Sequence, residues 1–205
     1  MNNSRRKFLR QSALAGAAFS LPFGKELMAM AGKSNAVGIQ LWTVKQALYK
    51  DTLGVLKHLS KCGYKQIEGF EGDLGIFWGM KNTELKKVLD DLGMKMVSSH
   101  CNNTQDFERK AAQAAEIGMK YLICPHKGAQ KSIDNFKRFS DEFNACGEIT
   151  KKNGLRFAYH NHDYSFVPMN GIVPQDLMMQ STNPDTVDFE MDMYWTVAAG
   201  VDPIG

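Results

Sequence analysis

The sequence predicts an α/β protein built on a parallel sheet, and a recurring phrase is the main reason. Four times, a helical stretch ends in glycine. Each glycine is followed by a bulky residue, then by a Lys or Arg, and then by a mostly apolar run. The four glycines stand at positions 63, 93, 118 and 154, which are 30, 25 and 36 residues apart. Glycine just after a helix supplies the left-handed cap that turns the chain toward the next strand. Alternating units of this size predict βαβ repeats.

Hydrophobic periodicity supports the same assignment, element by element. Leucines spaced by three at positions 53, 56 and 59, and apolar residues at 85, 88, 89 and 92, have helical period. Residues 106–117 and 133–152 supply two further helices. Short apolar runs before, between and after them predict six strands, at about 37–42, 64–70, 94–100, 119–125, 155–161 and 187–193.

The first 31 residues have the features of an export signal. Arg5 and Arg6 precede a short, weakly apolar run from Ala13 to Phe23, and Ala29-Met30-Ala31 is a small-x-small cleavage site. The paired arginines are typical of a twin-arginine signal, which predicts a periplasmic protein handled by the twin-arginine export machinery. The run is too short for a transmembrane span, so we expect no stable membrane anchor. The predicted domains are therefore an export signal at 1–31 and a folded domain at 32–205.

Charge and cysteine content exclude several classes of function. The chain carries a net charge of +3, but residues 1–31 contain five basic residues and one acidic residue, which leaves the remainder at −1. A slightly acidic body disfavours a nucleic-acid partner. The four cysteines form no C-x-x-C pair, which argues against a zinc knuckle or a thioredoxin-like motif. We expect buried thiols, with a single disulfide as the alternative.

Polar side chains collect where the predicted strands end. Because ligands of parallel α/β folds meet the carboxyl ends of the strands, these residues are candidates for a site. Residues two apart share a face of a strand, which pairs Glu190 with Asp192, and also pairs His160 with His162 if the strand continues that far. Imidazoles and carboxylates together suit a divalent metal such as Zn²⁺ or Mn²⁺. The alternative for each is a hydrogen-bonded structural role. The strand-end candidates are Glu68, His100, His126, His160, His162, Glu190 and Asp192.

Aromatic residues stand on or just after the same strand ends, and they suit stacking on a sugar ring. Trp42, Phe70, Trp78 and Trp195 are the candidates, and packing is the alternative for each. The sequence contains no G-x-S-x-G elbow and no phosphate-binding P-loop.

Several of these segments, in this order, resemble one family. The chain is similar to the sugar phosphate isomerase/epimerase group of xylose-isomerase-like barrels, especially its exported, twin-arginine-bearing members. The resemblance covers residues 37–205 and rests on the segments Gly38–Val44, Gly63–Glu68, Tyr159–Asp163, Asp192–Trp195 and Ala199–Pro203.

The resemblance implies a TIM (β/α)8-type barrel with a divalent metal (Mn, Zn, Mg or Co) at its mouth and a small carbohydrate as substrate. The metal would polarise the sugar while a base moves a proton beside the carbonyl and forms an ene-diolate. Return of the proton completes isomerisation or epimerisation. The assigned residues are Glu68, Glu190 and His160 for catalysis; Trp42, Phe70, Trp78, His100, His126 and Trp195 for substrate binding; and His160, His162 and Asp192 for the metal.

Departures from the family pattern keep other functions open. His160 stands where many relatives have a metal-binding glutamate, and Ser165 stands where close relatives have Glu. A non-catalytic periplasmic sugar-binding barrel is therefore one alternative, and a homo-oligomer is compatible with either. An endonuclease-IV-like hydrolase is a weaker alternative, suggested by His100, His126 and Asp192. Against this alternative, Trp195 stands at a position where the endonuclease-IV-like proteins have a further histidine.

The family's motifs for strands seven and eight do not occur in these 205 residues. We therefore expect an incomplete barrel of about six βα units that lacks the last two, from a truncated or partial sequence. We also expect the 205-residue chain to be inactive by itself, because six strands cannot close an eight-stranded barrel.

Overall fold

The computed structural model describes residues 37–204, and every structural statement below concerns these residues. The export signal predicted for residues 1–31, and the first residues of the domain predicted for 32–205, lie outside them and remain predictions.

Six parallel strands form one sheet in the described chain, as the sequence predicts. Each pairs with the next along the chain, and several end earlier than expected. The strands are β1 (Gly38–Gln40), β2 (Gln66–Phe70), β3 (Lys95–His100), β4 (Tyr121–Cys124), β5 (Arg156–His160) and β6 (Val187–Glu190).

Helices follow the strands, and two short 3₁₀ turns stand at Leu41–Val44 and Asp163–Phe166. The four helices predicted from periodicity are present with shifts of a few residues at their ends. The helices are α1 (Lys45–Lys50), α2 (Thr52–Lys61), α3 (Asn82–Asp91), α4 (Phe107–Glu116), α5 (Ile133–Lys152), α6 (Pro174–Ser181) and α7 (Met193–Ala198).

The glycine after α2 ends that helix as predicted. Gly63 has a φ of 95°, its N–H donates to the Ser60 carbonyl at 3.0 Å, and the Tyr64 N–H donates to the Leu59 carbonyl at 3.2 Å. This pair of hydrogen bonds is the Schellman motif, which satisfies the last carbonyls of a helix while reversing the chain. The same pair recurs at the other three glycines of the repeated phrase, 93, 118 and 154.

The strand order distinguishes a barrel-type sheet from a doubly wound one. A doubly wound sheet reverses its strand order at a switch point, whereas here the order runs from β1 to β6 without reversal. In a flat sheet β3 and β6 would be about 14 Å apart, which is three strand spacings. Yet His100 Nε2 on β3 lies 2.9 Å from Glu190 Oε2 on β6. The sheet therefore curves strongly, and its concave face brings together side chains of non-adjacent strands.

The convex face of the sheet packs against the helices and forms the core. On β5, Phe157 and Tyr159 are fully buried and face α5, where Phe143 lies 5.4 Å and 5.0 Å from their rings. Because alternate residues of a strand face opposite sides, His160 faces the concave side. The burial pattern of β5 thus determines where its histidine points.

A shift of register in β3 decides which of its residues face the concave side. Ile67 pairs with Met96, but the next residue, Glu68, pairs with Ser98, so one residue of β3 is bulged out. Gly69 has no room for a side chain on the convex face, because an added Cβ would lie 2.4 Å from the Met96 side chain. The bulge keeps Met96 on the convex face and turns Ser98 and His100 toward the concave one.

The cysteines are unpaired thiols, as expected. Cys101, Cys124 and Cys146 are buried, and burial raises the pKa of Cys124 to about 11. Cys62 is exposed, so the expectation of burial is wrong for that residue, which caps the exposed end of α2. None of the helices between residues 37 and 204 combines the length and apolarity needed to cross a membrane.

Substitution of Phe157 by alanine tests this packing. The ring is 0% exposed and contacts Phe143 and Phe107, so its loss leaves a cavity, and the free energy of unfolding should fall by about 3–5 kcal/mol. Val167→Ala is the control, because Val167 is 58% exposed and should change stability by about 0.5 kcal/mol or less. Urea unfolding measures both. A loss below about 1 kcal/mol for Phe157→Ala would contradict the packing described.

Candidate functional site

A cavity of about 1310 Å³ opens at the carboxyl ends of the strands. The last residue of every strand lines it: Gln40, Phe70, His100, Cys124, His160 and Glu190. This is the edge of a parallel barrel where ligands are expected to bind.

Two carboxylates and two imidazoles meet in this cavity and form what we call the carboxylate–histidine cluster: Glu68, His100, His160 and Glu190. His100 Nε2 lies 2.9 Å from Glu190 Oε2 and 3.3 Å from Glu68 Oε1. His160 Nδ1 lies 3.1 Å from the same Glu190 oxygen. Four residues predicted from four different strands are therefore connected through His100 and Glu190.

Glu68 owes its position to the register shift. Ser98, turned toward the cavity by the bulge in β3, donates a hydrogen bond of 2.6 Å to Glu68 Oε2. The other oxygen of Glu68 faces His100. Both oxygens of this largely buried carboxylate thus have a partner, as buried polar groups require.

The two carboxylates have opposite protonation tendencies. Burial, reinforced by the charge of Glu190, raises the pKa of Glu68 to about 7. Burial would also raise the pKa of Glu190, but hydrogen bonds from His100 and His160 outweigh it and lower the pKa of Glu190 below its usual range. At neutral pH Glu190 is the anion, while Glu68 is able to hold or release a proton.

Asp192 lies beside the cluster, but not on the strand predicted for it. β6 ends at Glu190 rather than at residue 193, and Asp192 is the N-cap of α7. Its Oδ1 accepts hydrogen bonds from the backbone N–H groups of Tyr194 (2.8 Å) and Trp195 (3.2 Å). Its Oδ2 lies 3.5 Å from His160 Nε2. The shared strand face predicted for Glu190 and Asp192 is wrong, because the chain turns into the helix between them.

His162 also lies beyond the end of its predicted strand, since β5 ends at His160. Its ring lies parallel to Tyr164, with centroids 5.5 Å apart, and contacts His126 edge-on at 4.9 Å. Its buried Nδ1 has no hydrogen-bond partner among the described residues. Burial and the neighbouring charges of His160 and His126 lower the pKa of His162 to about 4, so the ring is neutral at pH 7. His126 and His162 form a second pair on the same cavity wall.

The predicted aromatic residues divide into two groups. Trp42, Phe70 and Trp195 line the cavity, and Trp42 contacts Phe70 edge-on at 5.2 Å. Trp78 does not line it: the side chain is buried behind Phe70, with ring centroids 6.4 Å apart. Trp195 packs against His162 at 5.1 Å.

Sequence reasoning missed several polar residues of this wall. Gln40 Nε2 lies 3.3 Å from His100 Nδ1, and Ser98 supports Glu68. Lys127, directly after His126, pairs with Glu142 of α5. The first strand was predicted to extend to residue 42, so Gln40 did not stand at a predicted strand end, whereas the structure ends β1 there. Nothing in the sequence marks Ser98, because its orientation depends on the bulge.

The cluster fits a divalent metal by the chemistry of its donors. One ligand atom each from His100, His160 and Glu190 lie within 4.8 Å of one another. His162 is not in this group, although we predicted it as a ligand, because its ring faces His126 and Tyr164 instead. Mixed imidazole and carboxylate donors suit Zn²⁺ or Mn²⁺ better than Mg²⁺, which prefers oxygen ligands.

Comparison with known proteins identifies relatives among solved structures. The sequence matches no protein-family model and no curated protein. Two structures described as sugar phosphate isomerase/epimerase from Parabacteroides distasonis ATCC 8503 are each 31% identical to it. They superpose with TM-scores of 0.70 and 0.73 over 82% of this chain, which covers 68% and 72% of theirs.

More distant structures share the fold. A xylose isomerase-like TIM barrel/4-hydroxyphenylpyruvate dioxygenase fusion protein is 18% identical, with a TM-score of 0.57 over 72% of this chain and 26% of that one. The IOLI protein, described with a bound zinc atom, is 16% identical, with a TM-score of 0.57 over 74% of this chain and 60% of that one. The predicted barrel-type fold is thereby confirmed, with six of its strands in the described residues. At 31% identity over more than two thirds of the Parabacteroides proteins, this chain belongs to the sugar phosphate isomerase/epimerase family.

Proposed function

We propose that the protein is a metal-dependent sugar isomerase or epimerase that moves a proton at the carbon beside a sugar carbonyl. The observation that carries this proposal is the pair of carboxylates in one cavity with different surroundings. Glu190 receives hydrogen bonds from two imidazoles, whereas Glu68 is buried beside it and supported by one serine hydroxyl. Carboxylates whose environments separate their proton affinities are the usual sign of divided acid–base roles.

We expect the metal to be held by His160 at the end of β5, Glu190 at the end of β6 and Asp192 at the start of α7, since His160 contacts both carboxylates. When bound, the metal would supply the positive charge that polarises the sugar carbonyl and its neighbouring hydroxyl. The zinc in the distant IOLI structure and the His–His–Glu group described above support a metal, without naming the ion.

Glu68 is the residue we expect to accept the proton and, in an isomerisation, to return it to the neighbouring carbon on the same face of the sugar. Its carboxylate faces the cavity from β2, whereas His160 lines the cavity from β5 and Asp192 from the start of α7. A pKa of about 7 allows both forms of the carboxyl near neutral pH, which suits a general base that must also give the proton back. Ser98 holds one oxygen and leaves the other toward the cluster.

Trp42, Phe70 and Trp195 provide the apolar wall on which the carbon face of a sugar would stack. Excluding bulk water from the reacting carbon would strengthen the electrostatic interactions of the cluster with the sugar. Membership of the sugar phosphate isomerase/epimerase family and this apolar wall together support a small carbohydrate as substrate.

Deuterium exchange tests the proposed reaction for isomerisation and epimerisation at once. In D₂O with Mn²⁺ or Zn²⁺, the protein should introduce deuterium beside the carbonyl of at least one sugar in a panel of ketoses and aldoses. NMR or mass spectrometry measures the label, and EDTA should abolish it. Glu68→Gln should slow the exchange by about 10²–10⁴-fold, because it removes the base without changing its shape.

Glu148→Gln is the matched control, since Glu148 is an exposed residue of α5 and its substitution should leave exchange unchanged. Metal-dependent sugar binding with no exchange in any sugar would instead support the non-catalytic sugar-binding alternative.

Metal affinity gives a second, independent test. His160→Gln should weaken Zn²⁺ binding by more than the 10–100-fold that loss of a supporting hydrogen bond typically costs. His58→Gln changes an exposed histidine of α2 and should leave the affinity unaltered. Isothermal titration calorimetry measures both variants, and equal affinities would rule His160 out as a ligand.

The stability of the metal-free protein should report the burial of Glu68. Its folded pKa of about 7 lies above the ordinary value of 4.5, so the folded protein binds the proton more tightly than the unfolded chain. Stability that Glu68 contributes below pH 4.5 is then lost as the pH rises to about 7. Glu68→Gln avoids this loss, so the variant should gain about 2–3 kcal/mol over wild type between these pH values.

Urea unfolding in EDTA across this range measures that difference, with Glu148→Gln expected to show none. A difference for Glu68→Gln that does not change with pH would mean that the carboxyl titrates normally.

A further inference from the structure

The side-chain amide of Gln40 has a defined orientation. Its Oε1 accepts a hydrogen bond from the backbone N–H of Trp42, at the start of the 3₁₀ turn after β1. A backbone N–H is always a donor, so the oxygen must point to Trp42 and the NH₂ group must point the other way. The neighbour on that other side is His100, with Nδ1 at 3.3 Å from Gln40 Nε2.

This orientation decides where His100 carries its proton. Because the Gln40 NH₂ group can only donate, Nδ1 of His100 must accept with its lone pair, and the ring proton is on Nε2. The contacts of Nε2, on the other side of the ring, lead independently to the same proton position. Nε2 lies 2.9 Å from Glu190 Oε2 and 3.3 Å from Glu68 Oε1, and the ionised Glu190 carboxylate can only accept, so Nε2 must donate.

We propose that Gln40 holds His100 with its proton on Nε2, so that His100 positions Glu190 as a hydrogen-bond donor and is not a metal ligand. Distance alone groups His100 with His160 and Glu190 as potential ligands. A metal ligand, however, must offer a lone pair, and the one lone pair of His100 faces the Gln40 amide. The part of this proposal that concerns the metal rests on the proposed function; the tautomer does not.

His160 differs from His100 in the partners of its ring nitrogens. Both of its ring nitrogens face carboxylate oxygens, Nδ1 toward Glu190 at 3.1 Å and Nε2 toward Asp192 at 3.5 Å. None of the contacts made by its ring nitrogens in the described chain is to a fixed donor, so either nitrogen can offer its lone pair to a metal while the other keeps the ring proton. Glu190, meanwhile, keeps the hydrogen bond from His100, as ligating carboxylates normally keep a supporting donor.

NMR of the metal-free protein labelled with ¹⁵N-histidine tests the tautomer directly. Couplings between ring nitrogens and carbon-bound ring protons distinguish Nδ1 from Nε2, and the signals missing from His100→Gln identify the residue. We expect a protonated Nε2 and an unprotonated Nδ1 for His100 in the wild-type protein. A proton on Nδ1 would overturn the proposal, whether or not any variant folds.

Gln40→Glu tests whether Gln40 sets the tautomer of His100. A carboxylate can only accept, so the substituted side chain should draw a proton onto Nδ1 of His100, and the Nδ1 signal should move to the protonated position. Gln105→Glu is the matched control, because it adds the same charge to the same cavity without touching His100. An unchanged His100 spectrum in Gln40→Glu would show that Gln40 does not set the tautomer.

Addition of Zn²⁺ to the wild-type protein separates this inference from the proposed function. We expect a ring nitrogen of His160 to take the shift of a metal-bound nitrogen while His100 keeps its Nε2 proton. Zinc on His100 Nε2 would refute the positioning role. If Zn²⁺ does not bind at all, the proposed function fails, and the metal-free spectra still decide the tautomer of His100.

Discussion

Glu190 is the group on which the site depends. It is a carboxylate at the end of β6 that receives hydrogen bonds from His100 on β3 and His160 on β5 through one oxygen. These bonds keep it ionised despite partial burial, and its charge in turn favours the protonated form of Glu68. One anion therefore adds to the effect of burial on the pKa of Glu68 and links three strands that are not all adjacent in the sheet. Without it, two imidazoles and a buried carboxyl would lack their shared partner.

The curvature of the sheet and a single bulge in β3 bring these side chains to Glu190. Consecutive parallel strands wind in one direction, so that β3 and β6 approach each other across the concave face. The register shift opposite Ile67 and Glu68 then turns Ser98 and His100 toward the cavity while Met96 stays in the core. Bulges beside active sites commonly re-aim side chains in this way. The packing of Phe157 and Tyr159 against Phe143 fixes the opposite face of β5 and therefore the direction of His160.

Strand-end reasoning found most of the cluster, because parallel strands deliver their last residues to one edge. It was less successful past those ends. The strand predicted to include Asp192 in fact stops at Glu190, and the strand that would have had to continue to His162 stops at His160, since a helix cap and a 3₁₀ turn begin there. Local hydrogen bonds of Asp192 to the N–H groups of α7 compete with strand extension, and a period-two pattern contains no information about that competition. Trp78 likewise looked like a wall residue, but the loop after β2 folds it behind Phe70.

The sequence by itself determined the number and order of the strands, the helix ends marked by glycine, and the kinds of side chain at the mouth. These follow from local periodicity and from cap geometry, which depend on neighbours in the chain. Only the tertiary structure decided which polar groups touch, and therefore what each can do. The division of roles between Glu68 and Glu190, and the proton position on His100, depend on contacts between residues 30 to 90 positions apart, as between His160 and Glu190 or His100 and Glu190. Such contacts arise from the curvature of the whole sheet, and local sequence patterns do not predict that curvature.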